Sequence, residues 1–440
     1  MEAESSLQQL PRRLGVVSAA AVVVGAIIGS GIFGVTADIA NGVGTVGAMA
    51  LAWVVGGLIT LCLALSMAEL AAMFPTAGGT YVYLREAYGP MMAFLFGWIF
   101  LLFAPAGWAG IAAIFSRYAA PLVGLGPDDE RWITVAVIAV VTVTNMMSVT
   151  FSARLQSATT VAKATALFGL ALAIFLLADG SQGSLAQPID WAPLSWAGFG
   201  TVLVAVLWAY DGIGPFCTLA GEVKDPGRAM PRALIMGCLV VIALYLLINA
   251  AYLYALPLDA VKGSQLVAAD AAVGIGGPGA GQAIAFLVMV STFGAVSALG
   301  LADPRVFFAM GRDGLFFRSI GAIHPRFATP ARAVLLSGVI ASLYALNRGF
   351  SELAATFVLG LWPFYALAVA GVIILRRRRP ELARPYRTFG YPWVPVIFVG
   401  ATFLILFNAL IEQPAFTGLN IGLTLLGIPV YFVWKRFTRA

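Results

Sequence analysis

Apolar residues in this chain come in long unbroken blocks separated by short polar punctuation. Neither strand alternation nor the one-sided stripe of a soluble helix is present. The blocks fall at 16–40, 45–73, 92–119, 132–150, 154–178, 197–221, 233–256, 282–310, 332–347, 352–375, 392–411 and 417–435. About 20 apolar residues suffice to carry a helix across the hydrocarbon core of a bilayer. Within lipid each backbone polar group must pair inside its own structure, which leaves helices or a closed barrel. Runs such as Val135–Val143 and Leu234–Ala251 show none of the alternation of a barrel strand. The pattern predicts an all-α membrane protein of about twelve spans. With short connections and no soluble insertion, residues 1–440 form one transmembrane domain.

Two of the blocks carry interruptions that an ordinary spanning helix avoids. The first reads Gly25-Ala26-Ile27-Ile28-Gly29-Ser30-Gly31-Ile32-Phe33-Gly34, and the sixth reads Trp208-Ala209-Tyr210-Asp211-Gly212-Ile213-Gly214-Pro215-Phe216. Glycine costs a helix interior about 1 kcal/mol relative to alanine, and proline about 3. Backbone freed at membrane depth is tolerated only beside a cavity or a polar ligand. Gly25 and Gly29 alone also fit a small-residue helix contact. A second interruption five spans later favours broken helices at matching places in two inverted halves, 16–178 and 197–375, with 392–435 added after them. The N-terminal ends of half-helices suit a carboxylate, and unwound carbonyls suit an ammonium. A zwitterion of amino-acid size satisfies both.

Composition agrees with lipid contact. The chain is 61% hydrophobic and 10% charged, with a mean hydropathy of +0.93, whereas soluble domains carry about 25% charged residues. The net charge of +6 belongs to loops and does not signal nucleic-acid binding. With the N-terminus inside, Arg117, Arg131, Lys262 and Arg348 lie outside and the other 22 of 26 Lys and Arg lie inside. That split is what the positive-inside rule expects, so both termini are predicted cytoplasmic in a multi-pass plasma (inner) membrane protein. Arg376–Arg379 reads as a topogenic anchor. Arg12 and Arg13 precede a block longer than a signal-peptide core and without a cleavage site, so the first span is expected to be retained.

The single His324 and the cysteines Cys62, Cys217 and Cys238 form no metal-ligand spacing, and all three cysteines lie in apolar blocks. No metal, cofactor or disulfide is expected. An intramembrane enzyme needs positioned acids, bases or ligands at depth, and a receptor has no need of two broken helices. Neither class fits.

Several stretches together resemble the amino acid–polyamine–organocation transporters, and most of all the L-type amino acid transporters and their bacterial relatives. Gly29-Ser30-Gly31-Ile32-Phe33 is similar to that family's first-helix signature. Pro75-Thr76-Ala77-Gly78-Gly79-Thr80-Tyr81-Val82-Tyr83, Gly221-Glu222-Val223-Lys224-Asp225-Pro226 and Arg305-Val306-Phe307-Phe308-Ala309-Met310-Gly311-Arg312-Asp313-Gly314 extend the likeness along nearly the whole chain. The resemblance implies a LeuT-like repeat of five plus five helices. It implies substrate contacts at Ile27, Ile28, Gly29, Ser30 and Gly31 and at Trp208, Ala209, Tyr210 and Asp211. It also implies an aromatic lid at Trp208 and a second aromatic position at Trp362, where lipid anchoring or packing is the alternative reading. The loop Gly124–Arg131 lacks the cysteine by which heteromeric members tether a glycoprotein, so no disulfide-linked ancillary subunit is expected.

Lys163 lies within the fifth span, where a central lysine costs roughly 2.5–3.5 kcal/mol. The resemblance places it where sodium-independent carriers substitute an ammonium for a sodium ion, beside the first-helix break. Snorkelling to the interface is the alternative. Asp211 reads either as a substrate contact or as the N-cap of the following half-helix. The cap is preferred, because a carboxylate there repels a substrate carboxylate. Glu69, Asp303 and Arg305 near span ends suggest ordinary ion pairs. The function implied is sodium-independent amino-acid exchange, with proton-coupled symport of an amino acid or polyamine as the alternative.

Overall fold

The computed structural model describes residues 12, 14–147, 149–191, 195–317, 319–320, 322–325, 327 and 329–437, with backbone only for 149–158 and 437. The helices are α1 (Val16–Ile27), α2 (Gly31–Gly34), α3 (Thr36–Val43), α4 (Val46–Met73), α5 (Thr80–Tyr88), α6 (Pro90–Leu122), α7 (Glu130–Met147), α8 (Val149–Leu177) and α9 (Trp196–Ala209). After them come α10 (Ile213–Cys217), α11 (Pro226–Ala255), α12 (Leu258–Gly263), α13 (Val267–Ala302), α14 (Pro304–Arg312), α15 (Ala331–Asn347), α16 (Phe350–Arg378), α17 (Trp393–Glu412) and α18 (Pro414–Phe437). Among the described residues, eleven helical stretches are long and apolar enough to cross a membrane, and Ala331–Asn347 is a shorter apolar helix beside them. Counted with that shorter helix, they correspond in number to the twelve apolar blocks of the sequence.

Local chemistry explains many of the boundaries. Thr45 and Ser195 cap α4 and α9, their side-chain oxygens each accepting at 3.3 Å from Ala48 N and Gly198 N. Pro90, Pro226 and Pro304 open α6, α11 and α14, where a missing N–H costs no intrahelical bond. Two short helices, α5 and α12, fall outside the apolar blocks. α5 is too short and polar to read as a span, yet it buries Tyr81, Val82 and Leu84. The eighth span also starts earlier than its apolar block, at Val267, and turns at Gly277 (φ 69°) just before Pro278.

The interior is dense with aromatic rings, among them Trp53, Trp108, Trp362, Tyr245 and Tyr365. The outermost helices α17 and α18 instead present Leu404 (70% exposed), Phe407 (62%) and Phe432 (56%). So broad an apolar exterior suits hydrocarbon and not water.

One end of the bundle is rich in basic residues and ion pairs. Arg85 meets Asp313 at 2.6 Å, Arg305 meets Glu222 at 2.7 Å and Arg376 meets Glu69 at 2.6 Å. Glu69 is fully buried and also accepts from Thr388 N (2.7 Å) and Oγ1 (2.8 Å). Glu69 and Arg305 therefore belong to separate pairs. Asp303 pairs with neither, since its carboxylate accepts from the Trp108 indole. Of the basic residues assigned inside, Arg13, Arg318, Arg326, Arg439 and the Arg154 side chain lie outside the described residues.

Candidate functional site

The first span comes apart between α1 and α2. Ile28 leaves helical geometry (ψ 78°), Gly29 N turns back to Ile27 O at 2.7 Å, and the ladder resumes with Gly34 N to Ser30 O at 2.9 Å. The sixth span comes apart between α9 and α10. Asp211 N reaches Trp208 O at 3.2 Å, and Phe216 N restarts the ladder on Gly212 O at 3.1 Å. Gly212 has φ 151°, a conformation open to glycine and costly for any residue with a Cβ. The capping position of α10 is accordingly Gly212, and no side chain caps it. This corrects the expectation for Asp211. The backbone there needs a positive φ, so the capping position falls on the glycine and not on Asp211.

The two breaks lie against each other. A Cβ on Gly31 would stand 2.3 Å from Ala209 Cα, and one on Gly212 would stand 2.7 Å from Ile27 N. Tyr245 of α11 ties them together. Its hydroxyl lies 3.0 Å from Ile27 O and 3.1 Å from Ala209 O, sharing one proton between the last carbonyls of α1 and α9. Nothing in the sequence separates Tyr245 from the other tyrosines. Only the fold brings it to both helix ends.

A narrow crevice runs between the breaks, with Ile27, Gly29, Ser30, Gly31, Trp208 and Asp211 in its wall. Gly107 and Ile111 of α6, Leu299 of α13 and Phe357 of α16 complete it, and none of these four was anticipated. Three of its polar atoms, Ser30 Oγ, Trp208 Nε1 and Asp211 Oδ1, are buried without a hydrogen-bond partner. Buried polar groups in folded proteins are nearly always paired, so three orphans around one crevice mark a place for a polar ligand. The space open to the centres of water-sized molecules is about 30 Å³, so admitting an amino acid requires the walls to part.

The remaining candidate residues fall into two groups. Ile28, Ala209 and Tyr210 form the breaks through their backbone while their side chains are buried. The Tyr210 hydroxyl donates to Trp53 O at 3.3 Å. Trp208 is packed edge-on against Phe350 (6.1 Å) and Phe357 (5.4 Å), closing the crevice toward the end away from the ion pairs. Trp362 stands behind the wall, its ring tilted against Tyr365 (6.2 Å) and Phe398 (5.9 Å). Its unpartnered indole N–H faces the Asp211 carboxyl. On the ion-paired side a second crevice shares Ala26, Ile111, Pro215 and Leu299 with the first and extends it past Val22 and Leu219.

Lys163 of α8 is 2% exposed. Its ammonium donates to Gly25 O at 2.5 Å, one turn before the first break. Gly25 itself admits no side chain, because a Cβ there would lie 2.0 Å from Thr160 Oγ1. The lysine is turned into the bundle and does not snorkel to an interface.

A bundle of spanning helices, with two of them broken side by side around an orphan-lined crevice, defines a membrane transporter and not an enzyme. Comparison with known proteins identifies which kind. Residues 14–433 match the profile of the amino acid permease family, and the chain belongs to that family within the amino acid–polyamine–organocation superfamily. It is 31% identical to the serine/threonine exchanger SteT of Bacillus subtilis over 97% of this chain and 98% of that one. It is 31% identical to the human b(0,+)-type amino acid transporter 1, covering 99% of this chain and 90% of that one. It is 28% identical to the human cystine/glutamate transporter over 98% and 87%.

Proposed function

We propose that this chain exchanges L-amino acids across the plasma membrane by alternating access, independently of sodium. The observation that carries the reading is the facing pair of breaks, with Ser30 Oγ, Trp208 Nε1 and Asp211 Oδ1 unpartnered around one crevice. Free N–H groups at the restarted helices take the substrate carboxylate, and freed carbonyls at the stopped ones take its ammonium. Trp208 forms the lid on one side, with Trp362 supporting the wall behind Asp211. Lys163 holds α8 to α1 through Gly25 O, supplying at that seam the positive charge that a sodium ion provides in other carriers. Exchange is the preferred mode because one full-length relative, the serine/threonine exchanger SteT, is an exchanger by name.

In this reading residues 16–178 and 197–375 are inverted halves that rock about the crevice, 392–435 is an addition, and both termini lie in the cytoplasm. The ion-paired end is then the inner face. The loop Gly124–Arg131 has no cysteine, so no disulfide-linked subunit is required. Proton-coupled symport is the second reading, favoured by the buried ionisable groups Lys163 and Asp211.

Counterflow in proteoliposomes tests both. Uptake of labelled amino acid that requires unlabelled amino acid inside, and ignores imposed sodium and pH gradients, is the expected result. Uptake into empty vesicles driven by an acid-outside gradient establishes symport instead. No uptake of any amino acid from a full panel removes the reading.

A further inference from the structure

A cavity larger than the crevice lies at the end of the bundle away from the ion pairs. It offers about 320 Å³ to the centres of water-sized molecules, against about 30 Å³ in the crevice. Val35 and Asp38, beyond the first break, form one wall, and Val202 of α9 continues it. Phe350 and Ala355 of α16 and Glu412 of α17 face them. The cavity shares no lining residue with the crevice, and α6 and α13, which complete the crevice, take no part in it. Phe350 is the partition, since it lines the cavity and also packs edge-on against the lid residue Trp208 at 6.1 Å.

The chemistry of the cavity is divided between its body and its mouth. Val35, Val202 and Phe350 are buried and make the body apolar. Asp38 and Glu412 are exposed at the mouth, and among the described residues neither takes part in an ion pair. Asp38 Oδ2 accepts from Ser351 Oγ at 2.9 Å, which ties the carboxylate to α16 without neutralising it. The basic side chains assigned to this end are engaged elsewhere. Lys262 donates to Gly44 O at 3.1 Å and pairs with Asp259 at 3.5 Å. Arg117, Arg131 and Arg348 lie over the rings of Phe350, Trp132 and Phe416. An apolar cavity holds water poorly and accepts an apolar guest, and ligand sites are commonly apolar pockets with a few placed polar groups. Two unpaired carboxylates at the mouth favour a cation on the guest and repel a carboxylate. A zwitterionic amino acid fits that combination poorly.

We propose that this cavity is a ligand site separate from the substrate crevice, and that its ligand is an organic ammonium with an apolar body and no carboxylate. The body lies among Val35, Val202, Phe350 and Ala355, and the ammonium lies at the mouth with Asp38 and Glu412. α3 and α9 adjoin the two breaks, and α16 carries Phe350 against the lid. A ligand wedged between them holds Phe350 on Trp208. The crevice must open to admit substrate, so the occupied cavity slows exchange without competing for the substrate's place. Only this effect on exchange rests on the amino-acid carrier reading; binding to the cavity does not.

The probes are phenethylamine and phenethyl alcohol, which share an apolar body and differ in charge. Heat of binding is measured on the detergent-solubilised full chain, and exchange of a labelled neutral amino acid is measured in proteoliposomes. Phenethylamine is expected to bind and to lower the maximal exchange rate at unchanged apparent KM. Phenethyl alcohol at the same concentration is expected to do neither. Asp38→Asn combined with Glu412→Gln should exchange normally without probe and weaken both effects about fivefold, the size expected of exposed charge pairs. Ala355→Leu, which fills the cavity and keeps the carboxylates, should abolish both. Equal effects of amine and alcohol, a raised apparent KM at constant maximal rate, or unchanged binding in both variants overturns the proposal. If Ala355→Leu does not fold, the double variant decides alone. A wild type that exchanges amino acids and binds no phenethylamine overturns the site and leaves the carrier reading standing. One that binds phenethylamine as expected and exchanges no amino acid overturns the carrier reading instead.

Discussion

Gly31 and Ala209, on two helices five spans apart, meet backbone against backbone: a methyl group added to Gly31 would stand 2.3 Å from the Ala209 Cα. The contact is with main chain, so no flexible side chain can yield. Overpacking of this kind costs about 1–3 kcal/mol and displaces backbone, here at the breaks that form the crevice. Gly31→Ala is expected to lower exchange by at least about tenfold, since catalytic and binding geometries tolerate little misplacement. Gly400→Ala, with nothing within 4 Å of the added methyl, is the control and should exchange at the wild-type rate. Equal rates in both variants would show that the breaks need no close approach.

Tyr245→Phe removes the one hydroxyl shared by Ile27 O and Ala209 O. Leaving buried carbonyls without that donor costs roughly 1–3 kcal/mol. The detergent-solubilised variant should melt several degrees below the wild type and exchange more slowly. A melting temperature identical to the wild type would mean that water or another group satisfies both carbonyls.

Lys163→Ala leaves Gly25 O without its ammonium partner and opens a gap between α8 and α1. Exchange should fall at least about tenfold, an effect of the size expected when a buried charge-assisted bond is lost. Arginine should not rescue it, because the guanidinium is larger and its donors are fixed in a plane. Wild-type exchange by Lys163→Ala would end the proposal that this lysine closes the seam.

How much of this was legible from the chain differs by feature. The spans and both breaks stood out, because glycine, proline and aspartate are conspicuous inside apolar blocks. The opposite wall was not visible: Gly107, Ile111, Leu299 and Phe357 sit on helices that are apolar all round, where the face toward the crevice and the face toward lipid have the same composition. Tyr245 was hidden for the same reason. Asp211 was misread as a cap because its residue type suits one, while the φ of 151° at the next position selected Gly212 instead. The partners of Glu69 and Arg305 lie 307 and 83 residues away along the chain, a separation that no local pattern reports.

Leu14 and Val223 form a short parallel bridge, with Leu14 N donating to Glu222 O at 3.0 Å and Lys224 N to Leu14 O at 2.8 Å. The bridge fastens the segment before α1 to the exit of the sixth span, beside the Glu222–Arg305 pair. If the halves rock apart at this end, the bridge must open. Leu14→Cys combined with Val223→Cys, oxidised to a disulfide, should stop exchange, and reductant should restore it. Undiminished exchange by the oxidised protein would show that this latch stays closed throughout the cycle.

The reading of the crevice as a two-ended grip is tested most directly by competition with derivatives blocked at one end. For whichever amino acid best inhibits exchange, its methyl ester lacks the carboxylate and its N-acetyl form lacks the ammonium. Each loses charge-assisted bonds of about 1.5–3 kcal/mol apiece. Both should compete at least about tenfold more weakly than the parent, because each leaves one broken helix unsatisfied. Either derivative competing as well as the parent amino acid would contradict the account, since one set of freed peptide groups would then have no part in holding the substrate.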